Sequence, residues 1–217
     1  MGKVHILNRS NTVVNKFIAQ LRDKNIQQDS WRFRKNLERI GEVCAYEISK
    51  TLSYQPRDIV TPLGVATENI YTDTIVVATI LRAGLPLHQG VLNYFDDAQN
   101  AFVSAYRKHH KDGTFDINIE YLSSPNITGK ILILTDPMLA TGRSMVLGYQ
   151  ALLTKGKPKH THIVSVIGST EGLQYVQGEL GDDVTIWISA VDEEMTSQAY
   201  IVPGLGDAGD LAFGIKE

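Results

Sequence analysis

Between residues 131 and 144 the chain reads Ile-Leu-Ile-Leu-Thr-Asp-Pro-Met-Leu-Ala-Thr-Gly-Arg-Ser. Four large apolar residues give the pattern of a short buried strand, and the chemistry then changes at once. An acid, hydroxyls, a glycine and an arginine follow before an apolar helical pattern resumes at Met145 and Leu147. A strand that opens through a small-residue loop into a helix aims backbone N–H groups and the positive helix end at one point, which favours a phosphate. Thr141 and Ser144 add hydroxyl donors and Arg143 a cation. Asp136 falls where the strand's carboxyl end would place it, and could accept a ribose hydroxyl or a metal-bound water. Together these residues suggest a sugar-phosphate site.

Two more segments bear chemistry of the same kind. Arg82-Ala83-Gly84 follows the apolar run Thr74–Leu81 and precedes a helical pattern, so it belongs at the same sheet edge, where α/β proteins gather ligands. Arg82 by itself is equally well read as a partner for a surface acid, although its fixed fork suits a phosphate. Tyr106-Arg107-Lys108-His109-His110-Lys111 reads as a hairpin tip or as a basic loop that closes over a polyanion. Adjacent histidines on a strand point to opposite faces, so His109 and His110 make a poor chelate.

Near the C-terminus, Gly204, Gly206 and Gly209 match the dinucleotide pattern Gly-x-Gly-x-x-Gly. That pattern needs a following strand and an acid roughly 20 residues on, and only eight residues remain, so a nicotinamide or flavin site is rejected. Small residues in this density instead let backbone groups approach a flat heterocycle. Backbone donors and acceptors can read the polar edge of such a ring, and a ring with a different edge would leave them unpaired, at roughly 1–3 kcal/mol each.

These residues carry a resemblance. The strand followed by Asp-Pro-Met-Leu-Ala-Thr-Gly-x-Ser resembles the phosphoribosyl diphosphate loop of type I phosphoribosyltransferases in its uracil phosphoribosyltransferase form, with Pro137 where most of the superfamily has a second acid. Tyr200-Ile201-Val202-Pro203-Gly204-Leu205-Gly206-Asp207-Ala208-Gly209-Asp210 resembles the uracil-binding signature of that family. The resemblance runs more thinly from about Phe33 to Phe213, through Tyr46-Glu47 and Glu171-Gly172. It departs from the family pattern at Pro86, Arg143, Leu211 and Ile215, and related loops elsewhere in the superfamily do read Thr-Gly-Arg.

The resemblance implies transfer of the phosphoribosyl group of phosphoribosyl diphosphate to uracil, giving UMP and diphosphate in pyrimidine salvage. It assigns Arg82 and Arg107 to the diphosphate. Asp136, Pro137, Met138, Leu139, Ala140, Thr141, Gly142, Arg143 and Ser144 go to the phosphoribosyl group, and Ile201, Gly206 and Ala208 to the base. Asp207 falls on the ribosyl diphosphate side, near the reacting centre. Arg82, Arg107, Asp136 and Asp207 form the catalytic set. Mg2+ is the implied cofactor, bound mainly through the substrate. The resemblance further implies a homodimer or homotetramer, with the hairpin Asn100–Leu122 as an arm toward a partner subunit, and leaves a GTP effector open. A transferase for orotate or a purine stays open as a rival, as does an RNA-binding regulator. Orotate would want a cation that the C-terminal segment lacks before Lys216.

Length and composition fit this reading. The 217 residues, 43% hydrophobic, suit one enzyme-sized domain over 1–217, with the base-binding part in about 190–217. A net charge of −3 gives no electrostatic footprint for nucleic acid or an acidic membrane. The longest apolar runs are far below the roughly 20 residues of a membrane helix. One cysteine, Cys44, excludes an internal disulfide or a cysteine metal cage, and a cytoplasmic location is expected.

Element patterns alternate. Ser30 is expected to cap a helix over Trp31–Leu52 with Phe33, Leu37, Ile40, Cys44 and Ile48 on one stripe, after which Pro56 and Pro62 break the chain. Strands are expected at Thr74–Leu81, Ala101–Tyr106, Phe115–Leu122, Ile131–Leu134, Ile163–Ile167 and Val184–Ser189. Helices are expected from Ala83-Gly84 to about Asn93, from the loop to about Thr154, and over Glu171–Gln177. The order predicts an α/β fold with a mostly parallel sheet flanked by helices, a C-terminal hood and a hairpin arm. Asp192, Glu193 and Glu194 read as a solvated acidic cluster.

Overall fold

A computed structural model describes residues 2–109 and 115–216, excepting the side chains of 105–109 and 115–118. Its elements in chain order are β1 (Lys3–Ile6), α1 (Val13–Arg22), α2 (Ser30–Ser49), β2 (Tyr54–Thr61), β3 (Gly64–Tyr71), β4 (Ile75–Leu81) and α3 (Leu85–Leu92). There follow β5 (Gln99–His109), β6 (Phe115–Ser123), β7 (Ile131–Thr135), β8 (Met138–Leu139), α4 (Arg143–Leu153) and β9 (His160–Ser169). The chain ends with α5 (Thr170–Leu180), β10 (Val184–Asp192), β11 (Glu194–Met195), β12 (Ile201–Val202) and α6 (Ala208–Phe213).

The main sheet has the order β1-β10-β9-β7-β4-β5-β6, with β8 beside β9. All its pairings are parallel except β5 with β6, which form the expected hairpin. The central strands are buried on both faces, and their side chains divide by a period of two. Ile75, Val77, Ile131 and Ile133 enter one core layer with the α2 stripe Phe33, Leu37, Ile40, Cys44 and Ile48. Val76, Ala78, Leu132 and Leu134 enter the other, with Met145, Tyr149 and Leu152 of α4 and Val176 of α5. The apolar stripe read from the sequence is therefore the face that α2 buries.

Several expectations need correction. Pro56 does not break the chain; it lies within β2, opposite Asn69 of β3. A two-stranded ribbon has two free edges, and proline is tolerated where its missing N–H would face solvent. The N-cap of α2 is Asp29, whose carboxylate accepts the Arg32 N–H at 3.1 Å, so the helix starts at Ser30. Strands β9 and β10 extend beyond their apolar cores, to Ser169 and Asp192. The N-terminal elements β1 and α1 were missed. Thr12 caps α1 in a capping box with Asn15, and Val14, Ile18 and Leu21 face the core. Residues 110–114 of the basic stretch, His110 and Lys111 among them, lie outside the described residues.

On one sheet face three histidines surround an indole. His5 stacks on Trp187 with centroids 4.0 Å apart, and His160 lies edge-on to His162 at 4.8 Å. The Trp187 Nε1–H donates to His162 Nδ1 at 3.1 Å, so that nitrogen must be unprotonated. Burial, then the neighbouring His160 and His5, lower the His162 pKa to about 3. Its unfolded value is 6.5, so its neutral form is stabilising above that pH, and the contribution is lost as pH falls from 6.5 toward about 3. We expect unfolding by urea to show a stability loss of about 2 kcal/mol from this group between neutral pH and about pH 5. His162→Gln should flatten that slope; an unchanged slope would assign the acid sensitivity to other groups.

Candidate active site

After β4 the chain runs outward to β5 and β6, then returns to pair β7 on the opposite side of β4. The loops leaving β4 and β7 diverge above this switch point, and the crevice lies at the strands' carboxyl ends. Both candidate phosphate loops start here. They are tied together by a buried pair: Thr79 Oγ1 donates to Thr135 O at 3.3 Å and Thr135 Oγ1 to Ala78 O at 3.1 Å. Gly84 closes the first loop against this pair. A Cβ there would overlap Thr79 Oγ1 and come within 2.7 Å of Ile80 O and 2.9 Å of Thr135 O. The peptide between Leu81 and Arg82 is cis, and α3 follows with Pro86 in its first turn, where proline is tolerated.

The second loop descends from β7 into α4. Its carbonyl at Pro137 accepts from Val166 N at 3.1 Å and Ile167 N at 3.0 Å, which anchors it on β9. Pro137, Leu139 and Gly142 are buried, whereas Arg143 is exposed and Asp136, Thr141 and Ser144 are partly so. The loop thus separates into residues that support it and residues a ligand can reach. Gly142 takes φ +75°, and Arg143 opens α4 behind it. The one described non-glycine residue at positive φ is Ala199, so Arg143 keeps an ordinary backbone. The Arg143 N–H meets Thr141 Oγ1 at 3.4 Å, and the Met138 N–H meets Asp136 Oδ1 at 3.5 Å.

Helix α5 supports this loop from behind. Ser169 caps it, accepting from Gly172 N at 2.8 Å, and passes its own hydroxyl proton to Ala140 O at 2.6 Å. Neither Ser169 nor the strand threonines were identified from the sequence. Their partners are 29 and 56 residues away, beyond any local pattern.

The C-terminal segment lies over the first loop. Arg82 Nη2 is 3.4 Å from Asp210 Oδ1 and 3.4 Å from Gly214 O. One sequence reading of Arg82 is met, since it pairs with an acid, and its side chain is also exposed beside the loop that leaves β4. Asp207 caps α6, accepting from Asp210 N at 3.0 Å, with Lys216 Nζ 3.8 Å from its other oxygen. Arg34 holds Ala212 O at 2.6 Å. Gly206, at φ +92°, is exposed, whereas Ile201 and Ala208 are buried in the core against which Met138 and Ala140 pack. Their side chains support the segment, so Gly206 and its neighbours offer a ligand mainly backbone. The backbone of Arg107 lies in β5, and its side chain is outside the described residues.

Asp192 is not part of a solvated cluster. Its two oxygens accept from Arg22 Nη1 and Nη2 at 2.8 and 2.7 Å, and one also accepts from Gly204 N at 2.9 Å. Burial alone would push this carboxyl up, but the hydrogen bonds from Arg22 and Gly204 outweigh it and hold the group below the usual carboxylate range. Among the described residues no three His, Cys, Asp or Glu side chains are grouped to hold a metal ion. No described helix is long and apolar enough to cross a membrane.

Comparison with known proteins agrees with this geometry. The family model for uracil phosphoribosyltransferase matches residues 8–215. The chain is 57% identical over 216 residues to the uracil phosphoribosyltransferase of Porphyromonas gingivalis, covering 100% of both. It is 38% identical over 206 residues to that of Methanothermobacter thermautotrophicus, covering 94% of this chain and 93% of the other. Among solved structures it resembles the AQ2163 protein of Aquifex aeolicus, with a TM-score of 0.86, 29% identity and 98% of each chain covered. A hypoxanthine phosphoribosyltransferase of Staphylococcus aureus shares the fold alone, with a TM-score of 0.50 and 13% identity over 75% of this chain and 76% of that one. Matched along nearly its whole length by the family model and by these relatives, the chain belongs to the uracil phosphoribosyltransferase family of the type I phosphoribosyltransferases.

Proposed function

We propose that this chain joins uracil to phosphoribosyl diphosphate in the crevice above β4 and β7. The N1–C1′ bond forms, the bond from C1′ to the diphosphate oxygen breaks with its electron pair leaving on the diphosphate, the N1 proton passes to water, and UMP and diphosphate result. Positive charge develops on the ribosyl ring and negative charge on the leaving diphosphate, so the task is alignment and electrostatic stabilisation. Arg82 and Arg107 take the diphosphate. The loop from Thr141 to Ser144 takes the 5′-phosphate with its hydroxyls, the Arg143 cation and the first N–H groups of α4. Asp136 holds ribose hydroxyls, directly or through water. Backbone at Gly206 and its neighbours reads the base edge, and the Asp207 carboxylate lies beside the developing ribosyl cation. The observation that supports this reading is the direct contact between Arg82 and the C-terminal segment, at 3.4 Å from Asp210 Oδ1 and from Gly214 O.

Asp136 suits a magnesium ion held mostly by substrate. Its carboxylate is a hard oxygen donor, partly exposed at the end of β7, and would hold such an ion directly or through water, with the substrate supplying the other oxygen donors. When bound, the ion neutralises charge on the diphosphate. The direct test is incubation with uracil and phosphoribosyl diphosphate, following UMP by chromatography. Turnover that requires Mg2+ and stops with EDTA is expected. Labelled orotate or hypoxanthine entering a nucleotide, with none from uracil, would overturn the substrate assignment.

The same proposal includes a homo-oligomer and a cytoplasmic setting. The β2–β3 ribbon is long, two-stranded and exposed, with Val60 85% and Leu63 100% accessible, and such a ribbon has little stability of its own in water. Its charge-free tip from Ile59 to Ala66 suits the apolar surface of a second copy of this chain. Light scattering that returned a 24.0 kDa particle would reject this part. Burial raises the Cys44 thiol to about 12, with a smaller contribution from Glu47, so it stays protonated and unreactive.

A further inference from the structure

We propose that Arg22 and Asp192 form a positioning pair that sets the base-reading turn, so that a residue of the first helix governs the apparent affinity for uracil. The inference rests on the functional reading above and extends it to residues that touch no substrate. The pair is bidentate, at 2.7 and 2.8 Å, between side chains that are 24% and 8% exposed. Each member also holds the same residue of the turn, by the peptide on either side of it: Arg22 Nη1 donates to Gly204 O at 3.0 Å, and Asp192 Oδ2 accepts from Gly204 N at 2.9 Å. Gly204 is thus gripped at both ends, at φ +60°, immediately after the cis peptide at Val202-Pro203. The next carbonyl is held from the same quarter. With the Gln27 amide turned so that nitrogen faces the acceptors, it donates to Leu205 O at 2.8 Å and Leu21 O at 2.9 Å.

Three successive peptides leading into Gly206 are therefore fixed, the first by Asp192 at the end of β10 and the next two by α1 and the connection that follows it. Backbone that reads a base must present its donors and acceptors in one orientation, because it has no rotamers with which to adapt. Asp192 also links the base turn to the phosphate side. Its own carbonyl accepts from Thr170 Oγ1 at 3.3 Å, in the first turn of the helix that backs the phosphate loop. Lysine cannot replace Arg22 in this role, since one ammonium cannot span both Asp192 oxygens and the Gly204 carbonyl in the same plane.

The test is steady-state kinetics of the full chain with each substrate varied in turn, for Arg22→Lys, Asp192→Asn and the double variant Arg22→Met/Asp192→Leu. The double variant leaves no buried unpaired charge, so it keeps the fold if the single changes do not. The expected result is a rise of roughly 10–100-fold in the KM for uracil, with the KM for phosphoribosyl diphosphate within about two-fold of wild type. Discrimination against cytosine falls in parallel. The double variant is expected to match the single ones in uracil KM while regaining their lost thermal stability. An unchanged uracil KM in the double variant, or equal rises in both KM values, would overturn the positioning role and leave only a structural ion pair. Wild-type turnover of uracil, measured alongside, separates the two readings: its absence would remove the functional assignment and this inference with it, whereas normal wild-type kinetics with a flat variant series removes the inference alone.

Discussion

Gly172→Ala is expected to lower kcat/KM for phosphoribosyl diphosphate by roughly 100-fold, although residue 172 lies behind the phosphate loop and faces no ligand. A Cβ at this position would overlap the Ala140 carbonyl oxygen and stand 2.6 Å from that of Leu139. Both obstacles are backbone, so no rotamer change relieves the overlap. Either α5 retreats or the loop moves toward the ligand, and displacement of a positioned group by about 1 Å is worth about that factor in rate. The shift also breaks the Ser169 bridge from Gly172 N to Ala140 O. Overpacking of this kind costs about 1–3 kcal/mol, which lowers the Tm by roughly 2–10 °C in a chain of this size. Gly178→Ala supplies the control. It lies in the same helix with nothing within 4 Å of a new Cβ, so activity should be kept and stability unchanged or raised. Equal behaviour of the two variants would show that the packing of α5 on the loop does not matter for substrate.

The second large effect is expected at Asp207, where two roles need separating. Its Oδ1 accepts from the Asp210 N–H and so caps α6, and the same carboxylate is proposed to stand near the ribosyl cation. Asparagine caps a helix about as well as aspartate but carries no charge. Asp207→Asn should therefore keep its melting temperature within about 2 °C and lose roughly 10²–10³-fold in kcat, the range of one preorganised electrostatic contact. Asp207→Ala should lose as much activity and in addition about 1 kcal/mol of stability with the cap. Full activity in Asp207→Asn would leave Asp207 as a cap and move the charge requirement to Asp136 or Asp210.

What the sequence disclosed and what it withheld follow from the range of the interactions. The strands at the centre of the sheet were legible because burial on both faces demands an unbroken apolar run, as in Ile131–Leu134 and Ile75–Leu81. The strand, loop and helix from Ile131 to Leu153 were legible because their parts are contiguous. Helix α1 had a usable signal in Val14, Ile18 and Leu21, with Thr12 ahead of it, yet its polar spacing hid the stripe. Strand β1 offers four residues, two of them Lys3 and His5, and is a strand only because β10 supplies an edge. Pro56 misled because a proline in a free ribbon obeys different constraints from one in a sheet interior. Asp192 misled because it stands beside Glu193 and Glu194, while its partner Arg22 is 170 residues away. Residues that position a loop from behind leave no mark near it in the chain.

The edge pairing of β1 with β10, with Lys3 opposite Thr185, has a consequence for how the protein is made. During synthesis from the N-terminus, the first strand has no neighbour until nearly the whole polypeptide has emerged, and Arg22 must wait longer still for the turn at Gly204. Pairings this distant form slowly, since the entropy of closing the loop precedes any reward. The nascent chain can assemble β4, α3 and β5 early as a local unit, whereas the turn at Gly204 is set only once β10 and the segment after it have emerged. The proposed base site is therefore among the later parts of the fold to form, well after the loop between β7 and α4.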